Sequence, residues 1–337
     1  MRHLTRSALC FGTLFCLSGL AAITAAERLE PESGAPKSRE FFFTYKATVT
    51  GLAPGQTARI WLPVPTSSED QQVTITRQVA PAEGRLAKEP KYGNQIYYLE
   101  AKSEADGVVE VALTFRVKRH EVKGDALSKV EQGEVERFLK PDAKVPIGGK
   151  PLALIEGRQI PSDQLELGKF LYDVVNDHMM YSKDKPGWGF GDAEWACDSK
   201  FGNCTDFHSL FISLARSKKL PAKFEMGFSI PEKRGAGDIA GYHCWAKFKP
   251  EGRGWIPVDI SDANKVKTTN PTLVKYLFGN LTEDRVTFTI GRDLTLVPQQ
   301  DGPPLNFLIY PYVEVDGKPF DSAKVKRAFS YQDIAVK

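Results

Sequence analysis

The sequence predicts an α+β protein with an N-terminal β-sandwich domain, a mixed core of helices and strands in the middle, and a C-terminal β-rich segment. Three observations predict it. Short β-branched and aromatic runs separated by turn residues fill positions 41–120. Two segments, opening near Asp163 and Asn203, repeat apolar residues at helical period. From Phe224 onward the strand pattern returns. The 337 residues are 42% hydrophobic, 26% charged and 11% aromatic, enough for a sizeable core and unlike a disordered chain or a multi-span membrane protein. Forty-five Lys and Arg against 42 Asp and Glu leave a formal charge of +3, and no basic run is interleaved with aromatics. Nucleic acid is therefore not an expected partner.

Residues 1–26 read as a signal peptide. Arg2 and Arg6 precede an uncharged stretch, 8–26, that closes in small residues before Glu27 and Arg28. An uncleaved anchor is the alternative, because the stretch is just long enough to cross a bilayer, although Gly12, Ser18, Gly19 and Thr24 dilute its apolarity. Cleavage implies an exported protein, periplasmic or secreted, with no stable membrane span left. Residues 27–40, rich in Glu, Pro, Ser and Gly, read as a flexible lead-in.

The β-sandwich domain spans 41–120, with strands at 41–49, 58–62, 73–76, 95–99 and 108–117 punctuated by Gly51, Pro54-Gly55, Gly93-Asn94 and Asp106-Gly107. A connecting arm, 121–162, joins charged helical text at 127–139 to a stretch containing Pro and Gly. The core occupies 163–265. Asp163 and Glu166 have N-cap spacing, and Leu167, Phe170, Leu171, Val174 and Val175 carry a helix to about Met180. A Gly-, Trp- and Asp-containing loop, 186–202, leads to a second helix over 203–217, with Phe207, Leu210, Phe211 and Leu214 on one face. Strands follow at 224–230, 242–248 and 255–260. The C-terminal β-rich segment, 266–337, holds further strand text at 285–290, 294–297, 306–315 and 327–331.

Cys204 stands at the start of the second helix, where unpaired backbone N–H groups and the helix dipole favour a thiolate. A buried structural thiol is the plain alternative. Thiol catalysis also needs an imidazole to move the proton and a group that orients the imidazole. His243 lies in a strand and Asp259 at the end of the next, and neighbouring antiparallel strands bring such residues side by side. Taken singly, His243 also reads as a satisfied core histidine and Asp259 as the start of a turn.

Together, Gly202-Asn203-Cys204-Thr205-Asp206-Phe207, Arg216, Leu220-Pro221-Ala222-Lys223-Phe224, Gly227, His243, Trp245 and Gly254-Trp255-Ile256-Pro257-Val258-Asp259 resemble the transglutaminase-like superfamily over residues 165–265. The resemblance implies a papain-like fold with Cys204 as nucleophile, His243 as general base and acid, and Asp259 as orienting carboxylate. It implies acyl transfer on a peptide, protein or cell-wall amide, with hydrolysis as the first reading. Protein cross-linking and a silent binding module of the cell envelope are the alternatives. No dense acidic cluster resembles a calcium loop, so no metal or other cofactor is expected. Trp188, Phe190 and Trp195 form an aromatic loop that either walls the substrate groove, with Trp188 and Trp195 binding substrate, or caps the core. Asp206 belongs to the first helical turn, and His208 reads as a packed helix residue.

A zinc site built from Cys204 and His208 with Cys197, His243 or Cys244 is a competing reading, but the spacing departs from the usual structural pairs. Without the signal, Cys197, Cys204 and Cys244 remain. If His243 faces the thiolate, strand alternation turns Cys244 away from Cys204. The expectation is a free Cys204, with Cys197 and Cys244 either paired to one another or both reduced.

Overall fold

The computed structural model describes residues 36–124 and 132–335. The expected signal peptide and most of the lead-in lie outside them, as does the beginning of the helical text in the arm. Among the described residues no helix is long and apolar enough to cross a membrane.

The chain opens with β1 (Ser38–Val49), β2 (Thr57–Val64), β3 (Gln71–Val79), β4 (Arg85–Lys88), β5 (Gln95–Lys102), β6 (Val109–His120) and the short β7 (Val122–Lys123). Period-two alternation explains β1: Phe41, Phe43, Tyr45, Ala47 and Val49 are buried, and the residues between them are not. Val109, Val111, Leu113, Phe115 and Val117 do the same on β6, and the register sets Phe43 opposite Phe115 and Tyr45 opposite Leu113.

After α1 (Gln132–Arg137) come α2 (Gln164–His178), β8 (Met180–Tyr181), α3 (Ala193–Ser199), β9 (Phe201–Gly202) and α4 (Cys204–Ser217). The core continues through β10 (Ala222–Ser229), β11 (Ala236–Asp238), β12 (His243–Phe248), β13 (Ile256–Val258), α5 (Ile260–Lys265) and α6 (Pro271–Tyr276). The chain closes with β14 (Asn280–Leu281), β15 (Arg285–Ile290), β16 (Tyr312–Val315), β17 (Lys318–Pro319) and β18 (Val325–Asp333). The α+β class expected from the sequence is the one observed.

The sandwich expected at 41–120 also takes strands from the C-terminal β-rich segment, 266–337. Two five-stranded sheets form the sandwich, in the orders β11-β18-β1-β6-β3 and β17-β16-β2-β5-β4. Each takes strands from both ends of the chain: β18 pairs with β1 along nine residue pairs, and β16 pairs with β2. β15, from the same segment, extends the core sheet, whose order is β13-β12-β10-β15. Phe43 of the sandwich packs against Phe228 and Phe288 of the core sheet at ring separations of 5.0 and 5.2 Å, so the layers share one apolar interior.

Strand text at 294–297 does not become a regular strand. Leu294 and Leu305 form a single bridge, and Leu294, Leu296 and Leu308 cover the outer face of β2 around Trp61. Trp61 Nε1 donates to Pro298 O at 2.8 Å, which is why β2 is buried on both faces beyond Ile60. The loop expected at 186–202 contains α3, capped by Asp192, whose side chain accepts from Trp195 N.

Helix α4 is buried all round rather than on one face. Its polar side chains are paired inward. Arg216 meets Asp142 at 2.7 Å and Ala222 O at 2.9 Å, and Ser213 donates to Pro146 O at 2.6 Å. These partners fix the 121–162 arm against the core helix.

Candidate active site

Asn203 and Asp206 start α4 as a reciprocal cap. Asn203 Oδ1 accepts from Thr205 N, and Asp206 Oδ2 accepts from Asn203 N, both at 2.9 Å. Cys204 is thereby held as the first helical residue, in the turn whose N–H groups lack intrahelical acceptors. Asp206 also accepts from Gly189 N at 2.7 Å and Gly191 N at 2.9 Å, tying the loop before α3 to the helix start. Gly191 has φ 58°, and a Cβ there would lie 2.6 Å from Thr205 Cγ2, so only glycine admits this approach.

His243 opens β12, and Asp259 follows β13 as the N-cap of α5. His243 Nε2 donates to Asp259 Oδ2 at 2.7 Å. Asp259 Oδ1 accepts from Asp262 N and from Ser261 Oγ, both at 3.0 Å. One carboxylate thus caps a helix and orients an imidazole. Two further groups that sequence reasoning missed complete the cluster. Asp262 Oδ2 lies 3.3 Å from His243 Nε2, and Arg285 of β15 spans both carboxylates, 2.7 Å from Asp259 and 3.2 Å from Asp262. The Asp-x-x-Asp spacing at a helix start was a usable signal for Asp262. Arg285 comes from a strand that nothing local links to the site.

With Nε2 engaged by carboxylates, Nδ1 is the ring nitrogen left for the Cys204 sulfur, which His243 and the Cys244 thiol both adjoin. Burial alone would push the Cys204 thiol up, but the Cys244 thiol and the adjoining imidazole hold it well below the usual thiol range. Burial pushes His243 down, and the Asp259 and Asp262 carboxylates outweigh it, holding the imidazole well above its ordinary value. Asp259 is pushed up by burial and by Asp262, yet His243 and Arg285 bring it down to about 2. Both directions favour the charged pair, a Cys204 thiolate beside a His243 imidazolium, with two carboxylates and a guanidinium behind the ring.

Cys244 corrects an expectation. Alternation does hold, since His243 and Trp245 share a face with ring centroids 6.1 Å apart, while the Cys244 sulfur meets Thr205 Oγ1 at 3.9 Å and His208 Nδ1 at 3.7 Å on the helix side. Cys244 is nevertheless not turned away from Cys204. The thiol at the α4 start reaches residues from both faces at the β12 end, which reasoning on one strand alone does not capture. Cys197, Cys204 and Cys244 are all free thiols.

His208 Nδ1–H donates to Cys204 O at 2.7 Å, and its Nε2 accepts from Ile260 N at 3.1 Å. Burial lowers its basicity, so it stays a neutral strut between α4 and the Asp259 turn. Both ring nitrogens are committed, and the Cys197 sulfur instead approaches Lys150 O at 3.7 Å, so the zinc set does not converge. His243, Asp259 and Asp262 do offer donor atoms within 4.8 Å of one another, but Arg285 supplies the cation between the carboxylates.

Trp188 is half-buried, its Nε1 donating to Lys183 O at 3.0 Å beneath the Lys183 ammonium. Trp195, also half-buried, stands edge-on to Phe201 at 5.3 Å and under Gly187, at the margin of the core. Phe190 is 60% exposed.

Residues 156–260 match the transglutaminase-like superfamily. Over 340 aligned positions the chain is 28% identical to an uncharacterised protein of Haemophilus influenzae, covering 88% of this chain and 91% of that protein. Among solved structures, a proposed cysteine protease from Cytophaga hutchinsonii superposes with a TM-score of 0.57 at 12% identity, over 89% of this chain and 92% of that one. At that identity the likeness speaks to the fold.

Proposed function

With residues 156–260 forming a transglutaminase-like domain, we propose that the protein is a thiol-dependent acyl-transfer enzyme acting on peptide or amide bonds in an exported compartment, by hydrolysis. The observation that supports the reading is the His243 ring, bonded through Nε2 to Asp259 Oδ2 at 2.7 Å and adjoining the Cys204 thiol at the start of α4.

In this reading the Cys204 thiolate adds to the amide carbonyl carbon. The backbone N–H of Cys204 at the helix start serves as one donor to the oxyanion. As the C–N bond breaks, His243 gives its Nδ1 proton to the leaving amine and a thioester remains. Water then attacks that carbonyl, giving its proton back to Nδ1, and the C–S bond breaks to release the acid and restore the thiolate. Asp259, with Asp262 and Arg285 behind it, holds the ring in the tautomer that both steps need. Trp188, on the loop tied to Asp206, and Trp195, on α3, flank the substrate path. The acyl donor is a peptide, protein or cell-wall fragment, nucleic acid plays no part, and the 1–26 signal directs export.

The test is activity profiling of the full-length mature protein against a library of peptide and cell-wall amides, with and without an added primary amine. Acid release that disappears in Cys204→Ala, while the melting temperature stays within a few degrees, supports the reading. Predominant amine incorporation would make the protein a cross-linking transglutaminase. Equal turnover by Cys204→Ala would remove the thiol from the mechanism, and no turnover by either protein would favour a silent binding module.

A further inference from the structure

Further along the face of the core sheet that carries His243, around Lys247 and Glu225, lies a second polar cluster that the proposed mechanism does not use. Arg119, the penultimate residue of β6, is fully buried where the sandwich meets β15. Its Nη1 finds only a long contact to Gln71 Oε1 at 3.5 Å, and Asp70 Oδ2 at 3.9 Å. Its Nε and Nη2, the two parallel donors on one edge of the guanidinium, have no hydrogen-bond partner, and neither does the buried hydroxyl of Thr287 on β15. Gln71 links the two residues, because its Oε1 meets Arg119 Nη1 and also accepts from the backbone N of Thr287 at 2.9 Å, while its Nε2 donates to Thr287 O at 2.8 Å.

Charge points the same way. The carboxylates facing Arg119 are Asp70 and Glu225. Asp70 is bound to Lys247, and Glu225 lies 3.2 Å from Lys223 and 3.4 Å from Lys247. Three cations therefore share two carboxylates. The nearby Arg285 cation repels Arg119, and its own counter-ions are Asp259 and Asp262 on the triad side. An unmatched buried guanidinium is costly, and two parallel N–H donors, with an unpartnered O–H on the residue that Gln71 links to them, suit one small acceptor that carries charge.

We propose that the Nε–Nη2 edge of Arg119 and the hydroxyl of Thr287 form a buried binding site for a monovalent halide, chloride in ordinary solution. The ion balances the cluster and ties the sandwich to the sheet that carries His243. The site is independent of the acyl-transfer reading.

The direct test is diffraction from crystals of the full mature chain grown with bromide as the only halide. An anomalous peak between Arg119 and Thr287 is expected, and water-like density without anomalous signal would overturn the site. In solution, melting temperature is followed at constant ionic strength while gluconate is exchanged for chloride. A saturable rise is expected. Thr287→Val should shift the chloride midpoint up by about tenfold, the worth of one hydrogen bond to a charged group. Arg119→Met should abolish the chloride response. Should Arg119→Met fail to fold, Thr287→Val and the bromide peak decide alone. Identical melting in gluconate and chloride for the wild type would refute the proposal.

Discussion

Asp259→Asn removes one charge and almost no volume from the most connected residue of the site. Asparagine keeps an oxygen to cap α5 through Asp262 N, but it loses the anion that holds the Nε2 proton and faces Arg285. An amide N–H directed at His243 Nε2 would favour the tautomer with its proton on Nδ1, the wrong side for a base, and the comparable change in serine triads lowers turnover about 10⁴-fold. The stability cost follows from linkage. A carboxyl held at about 2 in the folded protein against an ordinary 3.8 contributes about 2–3 kcal/mol at neutral pH. Because the folded value is depressed, that contribution is complete above the unfolded value and is lost as pH falls from about 4 toward 2. Breaking a buried pair outright costs about 3–5 kcal/mol, and the smaller figure is expected here because Asp262 still faces His243 at 3.3 Å and Arg285 at 3.2 Å. Turnover of the best amide from the profiling, with urea unfolding at pH 7 and pH 3, tests both parts. The stability gap should shrink by roughly half at pH 3. Turnover within tenfold of wild type, or a gap that ignores pH, would refute the assigned role.

Asp262→Asn should leave turnover within about 10²-fold and move the alkaline limb of the rate profile to lower pH, since His243 loses one of the two carboxylates that raise it; an unmoved limb would make Asp262 a bystander. Cys244→Ala should move the acid limb to higher pH by removing a hydrogen bond to the Cys204 thiolate, and an unchanged limb would leave the imidazolium as the whole cause. Asp206→Ala should cost about 1–3 kcal/mol and speed hydrogen exchange at the Gly189 and Gly191 amides it now accepts from; unchanged exchange would show the loop is held otherwise. Phe43→Ala, at the aromatic junction of sandwich and core, should cost about 3–5 kcal/mol in denaturant unfolding, and a cost under about 1 kcal/mol would mean the layers hold together without it.

The parts of the fold that were legible in the sequence are those dictated locally. Asp163 and Asn203 cap the two core helices at the expected residues, and β15 runs over 285–290 as its alternation required. Cys204, His243 and Asp259 stood out because helix start and strand position already constrain their side chains, and the fold brings the three together. The remainder depends on pairing across long sequence separations. Nothing near residue 330 announces that β18 pairs with β1, and no local pattern aims Arg285 at Asp259. Leu294 and Leu296 carry strand-like text because they cover Trp61, not because they join a ladder. Cys244 shows the same limit: its face was read correctly, and its neighbour was set by where α4 begins.

A Cys204 that rests as a thiolate beside an imidazolium is read out by the pH dependence of its alkylation. Iodoacetamide labelling, followed by intact mass and peptide mapping, is run from pH 5 to pH 10 on unreduced mature protein. A single early adduct on Cys204 is expected, its rate already high well below the ordinary thiol midpoint of 9.0, with an inflection that climbs toward that midpoint in His243→Ala. Labelling that begins only near pH 9, that reaches Cys197 as readily as Cys204, or that ignores the loss of His243 would contradict it.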